Sequence, residues 1–163
     1  MKDLFDTAAF LWSVDAAERL NTRARAILES SNEEIFLSPV VSWEIVIKVM
    51  RGKLTLTRSV DETLKLAFSK FGMQSQPITH AHCLALSELP LIHNDPFDRM
   101  LVAQARCEKL ILVTADEILR TYLVEILWCA GDNHGTMWFA IIPAIYPSVH
   151  VRPADLPGSC SAS

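Results

Sequence analysis

The stretch Ile35-Phe36-Leu37-Ser38-Pro39-Val40-Val41-Ser42-Trp43-Glu44-Ile45-Val46-Ile47-Lys48 decides the fold class. Ile35 to Ser38 is a short apolar run that reads as a strand. Ser38-Pro39 then offers an N-cap with proline at the first helical position, where its missing N–H is no loss and its fixed φ suits a helix. That helix runs through Trp43, Glu44, Ile47 and Lys48 toward Gly52. A short apolar run followed by a longer amphipathic stretch is the unit that recurs along this chain. Such alternation is expected of a parallel sheet covered by helices on both faces, so the fold class is α/β.

Working outward, further strands are expected at Lys2 to Asp6, Met73 to Ile78, Leu110 to Thr114 and Glu125 to Trp128. They are short, as central parallel strands can be. Ser59-Val60-Asp61-Glu62 reads as a capping box, followed by apolar Leu64, Leu66, Ala67, Phe68 and Phe71 and closed by Gly72. Thr79 caps a helix that ends before Pro90, and Asp95-Pro96-Phe97-Asp98 opens another that runs to about Glu108. After Trp128 the texture changes. Residues 129–163 carry several prolines and glycines with no sustained period, and they read as an appendage to a domain spanning residues 1–128. The appendage either packs Trp138, Phe139 and Ile141 on the body or lacks fixed order.

Composition narrows the classes. A length of 163 residues, half of them apolar, suits one domain with a sizeable core. The net charge of -4 argues against a broad basic surface for holding nucleic acid. It leaves room for a nuclease, whose carboxylates a bound cation offsets. Cys83, Cys107, Cys129 and Cys160 are scattered without zinc spacing, so a reduced cytoplasm is the expected setting. Asp3 and Asp6 interrupt any signal-peptide core, and Pro143 breaks the apolar stretch from Met137 to Ile145, so neither secretion nor a membrane span is expected.

Acids at strand ends draw the most notice, because ligands of parallel α/β sheets collect beyond the carboxyl ends of strands. Asp6 ends the first strand and Asp116 lies just past the fourth. Glu44 is in the helix after the second strand, and Asp98 in the first turn of the helix before the fourth. If the first and fourth strands are neighbours, all four converge. Ionised carboxylates 4 Å apart repel by about 4 kcal/mol at an effective dielectric of 20, so such a cleft needs protons or cations. Oxygen ligands select hard ions such as Mg²⁺ or Mn²⁺, and the matching chemistry is phosphodiester hydrolysis. Each acid also has a structural reading. Asp6 and Asp98 can serve helix ends, Glu44 can form a solvated i,i+4 pair with Lys48, and Asp116-Glu117 can open a short helix.

Four blocks in order carry a resemblance: Leu4-Phe5-Asp6-Thr7-Ala8-Ala9-Phe10-Leu11-Trp12, Ser38 to Lys48, Asp95-Pro96-Phe97-Asp98-Arg99-Met100-Leu101-Val102-Ala103-Gln104-Ala105, and Leu112-Val113-Thr114-Ala115-Asp116. Together with Gly52-Lys53-Leu54 and Ile126-Leu127-Trp128, they closely resemble VapC-like PIN domains over residues 1 to about 128. The resemblance implies a five-stranded parallel sheet in the order 3-2-1-4-5 flanked by helices. It further implies a Mg²⁺- or Mn²⁺-dependent endoribonuclease, the toxin of a toxin–antitoxin pair, homodimeric and silenced by its cognate antitoxin. By motif, the metal-binding and catalytic acids are Asp6, Glu44, Asp98 and Asp116, with Asp95 a less secure fifth. Thr7 and Thr114 resemble the supporting hydroxyl residues.

Two departures stand out: Ala8, where this subgroup often has histidine, and the appendage. They motivate an alternative reading, a catalytically degenerate PIN domain that binds protein or RNA. A phosphoacceptor receiver domain is set aside, because the third strand ends Gln76-Pro77-Ile78-Thr79 without an acceptor aspartate and no lysine follows Lys109. Lys48, Arg51 and Lys53 either meet RNA phosphates or solvate a helix end, and Arg99 either touches phosphate or forms a salt bridge. His80, His82 and His93 lack a further nitrogen or sulfur ligand at convincing spacing, so no histidine site is expected. Phe10, Trp12 and Trp43 read as core.

Overall fold

The structure, a computed structural model, describes residues 1–30 and 32–131. Strands β1 (Lys2–Phe5), β2 (Glu34–Leu37), β3 (Gln74–Ser75), β4 (Ile111–Thr114) and β5 (Ile126–Trp128) form one sheet in the order β3-β2-β1-β4-β5. Every pairing in it is parallel. Helices α1 (Thr7–Asp15), α2 (Thr22–Glu29), α3 (Pro39–Met50), α4 (Val60–Lys70), α5 (His80–Ala85) and α6 (Pro96–Glu108) flank it. The result is the expected three-layer α/β/α arrangement.

Local chemistry sets most of these boundaries. Ser38 accepts the Val40 N–H through its side chain at the head of α3, with Pro39 next. Ser59 and Glu62 complete a reciprocal capping box on α4, and Gly72 takes a left-handed φ of 61° just beyond it. Thr79 caps α5 through the His82 N–H. Asp95 caps α6. Only β3 falls well short of expectation, at Gln74–Ser75 instead of Met73 to Ile78. The Gln76 N–H still reaches the Leu37 carbonyl at 3.0 Å, but Pro77 has no N–H with which to continue the ladder.

The core lies on both sides of β1 and β4. Phe5, Leu4, Leu112 and Val113 are wholly buried, as are Phe10, Ile45 and Leu101 from α1, α3 and α6. Each such side chain contributes about 1.5–3 kcal/mol through burial. Of the aromatic residues read as core, Phe10 is buried, Trp12 is half-buried, and Trp43 is 57% exposed. Helix α3 is apolar nearly all round, and the core takes its Val40, Val41, Glu44 and Ile45 face, which turns Trp43 outward. Beyond β5, Cys129 donates its N–H to the Thr114 carbonyl, Ala130 bridges to Leu20, and Gly131 donates to the Arg19 carbonyl. Residues 132–163, with Trp138, Phe139 and Ile141, lie outside the described residues. No helix among the described residues is long and apolar enough to cross a membrane.

Candidate metal centre

The strand order places β1 and β4 side by side where the chain reverses direction across the sheet, so their carboxyl ends open into one crevice. Asp6 follows the last residue of β1 and caps α1, its Oδ1 accepting the Ala9 N–H at 2.7 Å. Its own N–H donates to the Val113 carbonyl at 3.0 Å, holding it against β4. Thr114, the last residue of β4, donates its hydroxyl to Asp6 Oδ2 at 2.5 Å and accepts the Asp116 N–H at 2.9 Å. One hydroxyl thereby ties the two strand ends together. Asp116 Oδ1 accepts the Ile118 N–H at 2.8 Å and so shapes the turn that presents it.

Glu44 sits on the buried face of α3. The Thr7 hydroxyl donates to its Oε2, and Lys48 Nζ lies 2.5 Å from its Oε1. A solvated helix pair does not describe this contact, since the Glu44 and Lys48 side chains are only 2% and 13% exposed. Asp98 is in the first turn of α6, 4% exposed, and Asp95 caps that helix by accepting the Phe97 N–H at 2.8 Å. The rings of Trp43 and Phe97 meet edge to face with centroids 4.9 Å apart. Each immediately precedes an acid, so this ring contact clamps α3 to α6 beside Glu44 and Asp98.

Burial raises the Asp6 carboxyl to about 7; the Thr114 hydroxyl and Ala9 N–H pull it down, and the charges of Asp116 and Glu44 push it further up. Burial likewise holds Asp98 well above the ordinary carboxylate range, reinforced by Asp95, Glu44, Asp116 and Asp6. Asp6, Glu44, Asp98 and Asp116 therefore share one electrostatic neighbourhood. Asp98 Oδ2 is buried and accepts no hydrogen bond. An orphaned carboxylate oxygen among mutually repelling acids fits a hard divalent cation, which would satisfy the oxygen and offset the charge.

His93 is the residue that ligand spacing missed. Its Nε2 lies 3.3 Å from Asp98 Oδ2 and 3.7 Å from Asp116 Oδ2. A search for paired nitrogen or sulfur ligands passes over a lone histidine that stands against carboxylates. The available signal was its place two residues before the Asp95 cap. His82, by contrast, serves the fold: its Nδ1 accepts the Thr79 N–H at 3.1 Å, and its Nε2 meets Glu108 Oε1 at 3.0 Å.

The basic candidates separate. Lys48 belongs to the acidic cluster, whereas Arg51 and Lys53 are exposed past the end of α3. Arg99 turns away from the acids. Its guanidinium donates to the carbonyls of Pro90 at 2.7 Å, Leu86 at 3.0 Å and Leu89 at 3.3 Å, and to the Tyr122 hydroxyl at 3.3 Å. Both of its terminal nitrogens are taken up in pinning the segment between α5 and α6.

A parallel sheet in the order 3-2-1-4-5 with acids gathered beyond β1 and β4 defines a class of α/β protein, and the PIN domain family matches residues 4–122. The chain belongs to the PIN domain family. Solved structures share the fold. The crystal structure of VapBC2 from Rickettsia felis bound to a promoter DNA fragment matches with a TM-score of 0.61 at 16% identity, over 79% of this chain and 99% of that one. DNA-bound VapBC from Salmonella typhimurium matches with a TM-score of 0.53 at 14% identity, over 78% and 97%. FitAB bound to the IR36 DNA fragment matches with a TM-score of 0.51 at 16% identity, over 77% and 93%. No curated protein matches in sequence.

Proposed function

We propose that this chain is a divalent-metal-dependent endoribonuclease that hydrolyses RNA phosphodiester bonds and acts as the toxin of a toxin–antitoxin pair. The observation that carries this reading is the buried, hydrogen-bond-free Asp98 Oδ2 within the cluster of Asp6, Glu44 and Asp116. Asp6, Asp98 and Asp116 would hold Mg²⁺ or Mn²⁺, with Glu44 completing the acidic wall. Bound there, the cation supplies positive charge that offsets a phosphodiester's charge and acidifies an attacking water.

The chain's own residues prepare the site. Thr114 and the Ala9 N–H fix both oxygens of Asp6, and Thr7 and Lys48 fix those of Glu44, so these carboxylates need little reorganisation when the cation arrives. Asp95 adds negative charge at the rim. Arg51 and Lys53 are free to approach RNA phosphates from the end of α3. The RNA substrate and the toxin role rest on the PIN family and on the VapBC complexes that share the fold. A cognate antitoxin and a second copy of the chain are the proposed protein partners, supported by the exposed Trp43, Val46, Val49 and Met50 of α3. A cytoplasmic setting is proposed with Cys83, Cys107 and Cys129 free of disulfides among the described residues.

The test is cleavage of a broad RNA panel by antitoxin-free protein with Mg²⁺ or Mn²⁺. Cleavage by the wild type and none by Asp6→Asn is the expected result. Equal rates for the two would overturn the enzyme, and metal binding without cleavage would point to a degenerate binding domain.

A further inference from the structure

A lone histidine faces the acidic centre, and its hydrogen bonds define what it can do there. The Asp95 N–H donates to His93 Nδ1 at 2.9 Å. A nitrogen that accepts carries no proton, so the neutral ring bears its proton on Nε2. That Nε2 is the atom between the carboxylates, 3.3 Å from Asp98 Oδ2 and 3.7 Å from Asp116 Oδ2, with the three groups all within 4.8 Å of one another. A protonated nitrogen has no lone pair for a cation. Ligation through Nε2 would require moving the proton to Nδ1, where it would confront the Asp95 N–H.

The ring is also held from behind. It is 6% exposed, and the His93 N–H donates to the Tyr122 hydroxyl at 3.1 Å. Arg99 donates to the same hydroxyl and to the carbonyls that precede this segment. Asp98 belongs to α6, with Asp95 its N-cap, Asp116 follows β4, and Tyr122 lies between β4 and β5. His93 therefore bridges two elements that each deliver one acid.

Resting on the metal-dependent reading above, we propose that His93 is a positioning residue: its Nε2–H faces Asp98 Oδ2 at 3.3 Å and Asp116 Oδ2 at 3.7 Å, hydrogen-bonded to neither before a cation binds, and this electrostatic contact sets which of their oxygens face the cation. Outer-shell donors of this kind orient ligating carboxylates, and their loss typically weakens metal binding by about 10–100-fold. His93 acts through the acids and touches neither cation nor substrate. The Arg99–Tyr122 contact serves as its anchor.

Mn²⁺ titrated calorimetrically into the metal-free full chain tests this, with Asp98→Asn as the variant that removes a ligand. His93→Asn keeps an acceptor for the Asp95 N–H but ends short of the carboxylates. His93→Gln reaches as far as Nε2 and keeps an N–H donor. The expected result is a loss of about tenfold or more in Mn²⁺ affinity for His93→Asn, with His93→Gln within about threefold of wild type. An unchanged affinity in His93→Asn, or equal losses in both variants, would overturn the assignment. A wild-type chain that binds Mn²⁺ no better than Asp98→Asn would instead overturn the metal centre, and this assignment with it. A second measurement needs no variant. Long-range proton–nitrogen correlation on the metal-free chain should find the His93 proton on Nε2, and a proton on Nδ1 would refute the proposal.

Discussion

Thr114 Oγ1 donates to Asp6 Oδ2 at 2.5 Å, across the boundary between two parallel strands. The same oxygen accepts the Asp116 N–H, so this hydroxyl sets the separation of two acids that come from opposite ends of the sequence. Thr114 is fully buried, and water cannot replace what its removal would leave unpaired. Thr114→Val keeps the shape and deletes both hydrogen bonds. Urea denaturation should find it destabilised by about 1–3 kcal/mol, with Thr114→Ser recovering most of the loss. Mn²⁺ affinity should fall in the valine variant and return in the serine variant.

The acidic centre is a cost to the metal-free fold. Asp98 is held well above its ordinary range by burial and by its acidic neighbours, so keeping it ionised at neutral pH opposes folding. Asp98→Asn should therefore melt higher than wild type when both are metal-free at pH 8, while failing to bind Mn²⁺. Saturating Mn²⁺ should reverse the order, since about a hundredfold excess over Kd stabilises the wild type by about 2.7 kcal/mol. Thermal melts with and without Mn²⁺ read both halves, and a metal-free Asp98→Asn that melts lower would refute the repulsion argument.

At the opposite end of β1, Asp3 is fully buried and neither carboxylate oxygen accepts a hydrogen bond. Burial pushes its carboxyl up to about 6, with the Glu33 charge adding and the chain's amino terminus and Arg23 opposing. The folded state therefore binds the Asp3 proton more tightly than the unfolded state does. Its destabilising effect is absent below about pH 4, grows as pH rises, and is complete above about pH 6. Asp3→Asn should accordingly gain on wild type by roughly 3 kcal/mol at pH 7.5 and show no pH-dependent gain at pH 4. Parallel urea titrations at the two pH values check the sign.

Arg99 holds the Leu86, Leu89 and Pro90 carbonyls and the Tyr122 hydroxyl. Lysine has one nitrogen where the planar guanidinium presents a fork, so Arg99→Lys cannot reproduce this set. A stability loss of about 2–3 kcal/mol is expected from carbonyls left without donors. RNA affinity of Arg99→Gln, which removes the charge, measured well below its melting temperature, should keep the wild-type dependence on salt, because no phosphate contact has been removed. A reduced salt slope would instead assign Arg99 to the RNA.

Local chemistry along the chain was enough to determine the α/β class, four of the helix starts and the strand positions to within a residue or so, apart from β3. Caps and prolines act within a few residues of their own position: Ser38-Pro39, Ser59 with Glu62, Thr79 and Asp95 carry their instructions with them. That Asp6, Glu44, Asp98 and Asp116 converge was also legible, because strand ends and an ordered set of motifs single them out. Their states were not. Whether Glu44 is solvated or buried against Lys48, whether Arg99 faces phosphate or carbonyls, and whether Trp43 is core or surface all depend on which face of a helix meets the sheet. His93 depends on still more. The Asp95 N–H in its own loop meets its Nδ1, but its other partners come from α6 and from beyond β4, and only the packing of α6 back along β4 delivers Asp116 to it. Spacing along a chain reports contacts within one element; contacts between elements exist only once burial has brought their faces together.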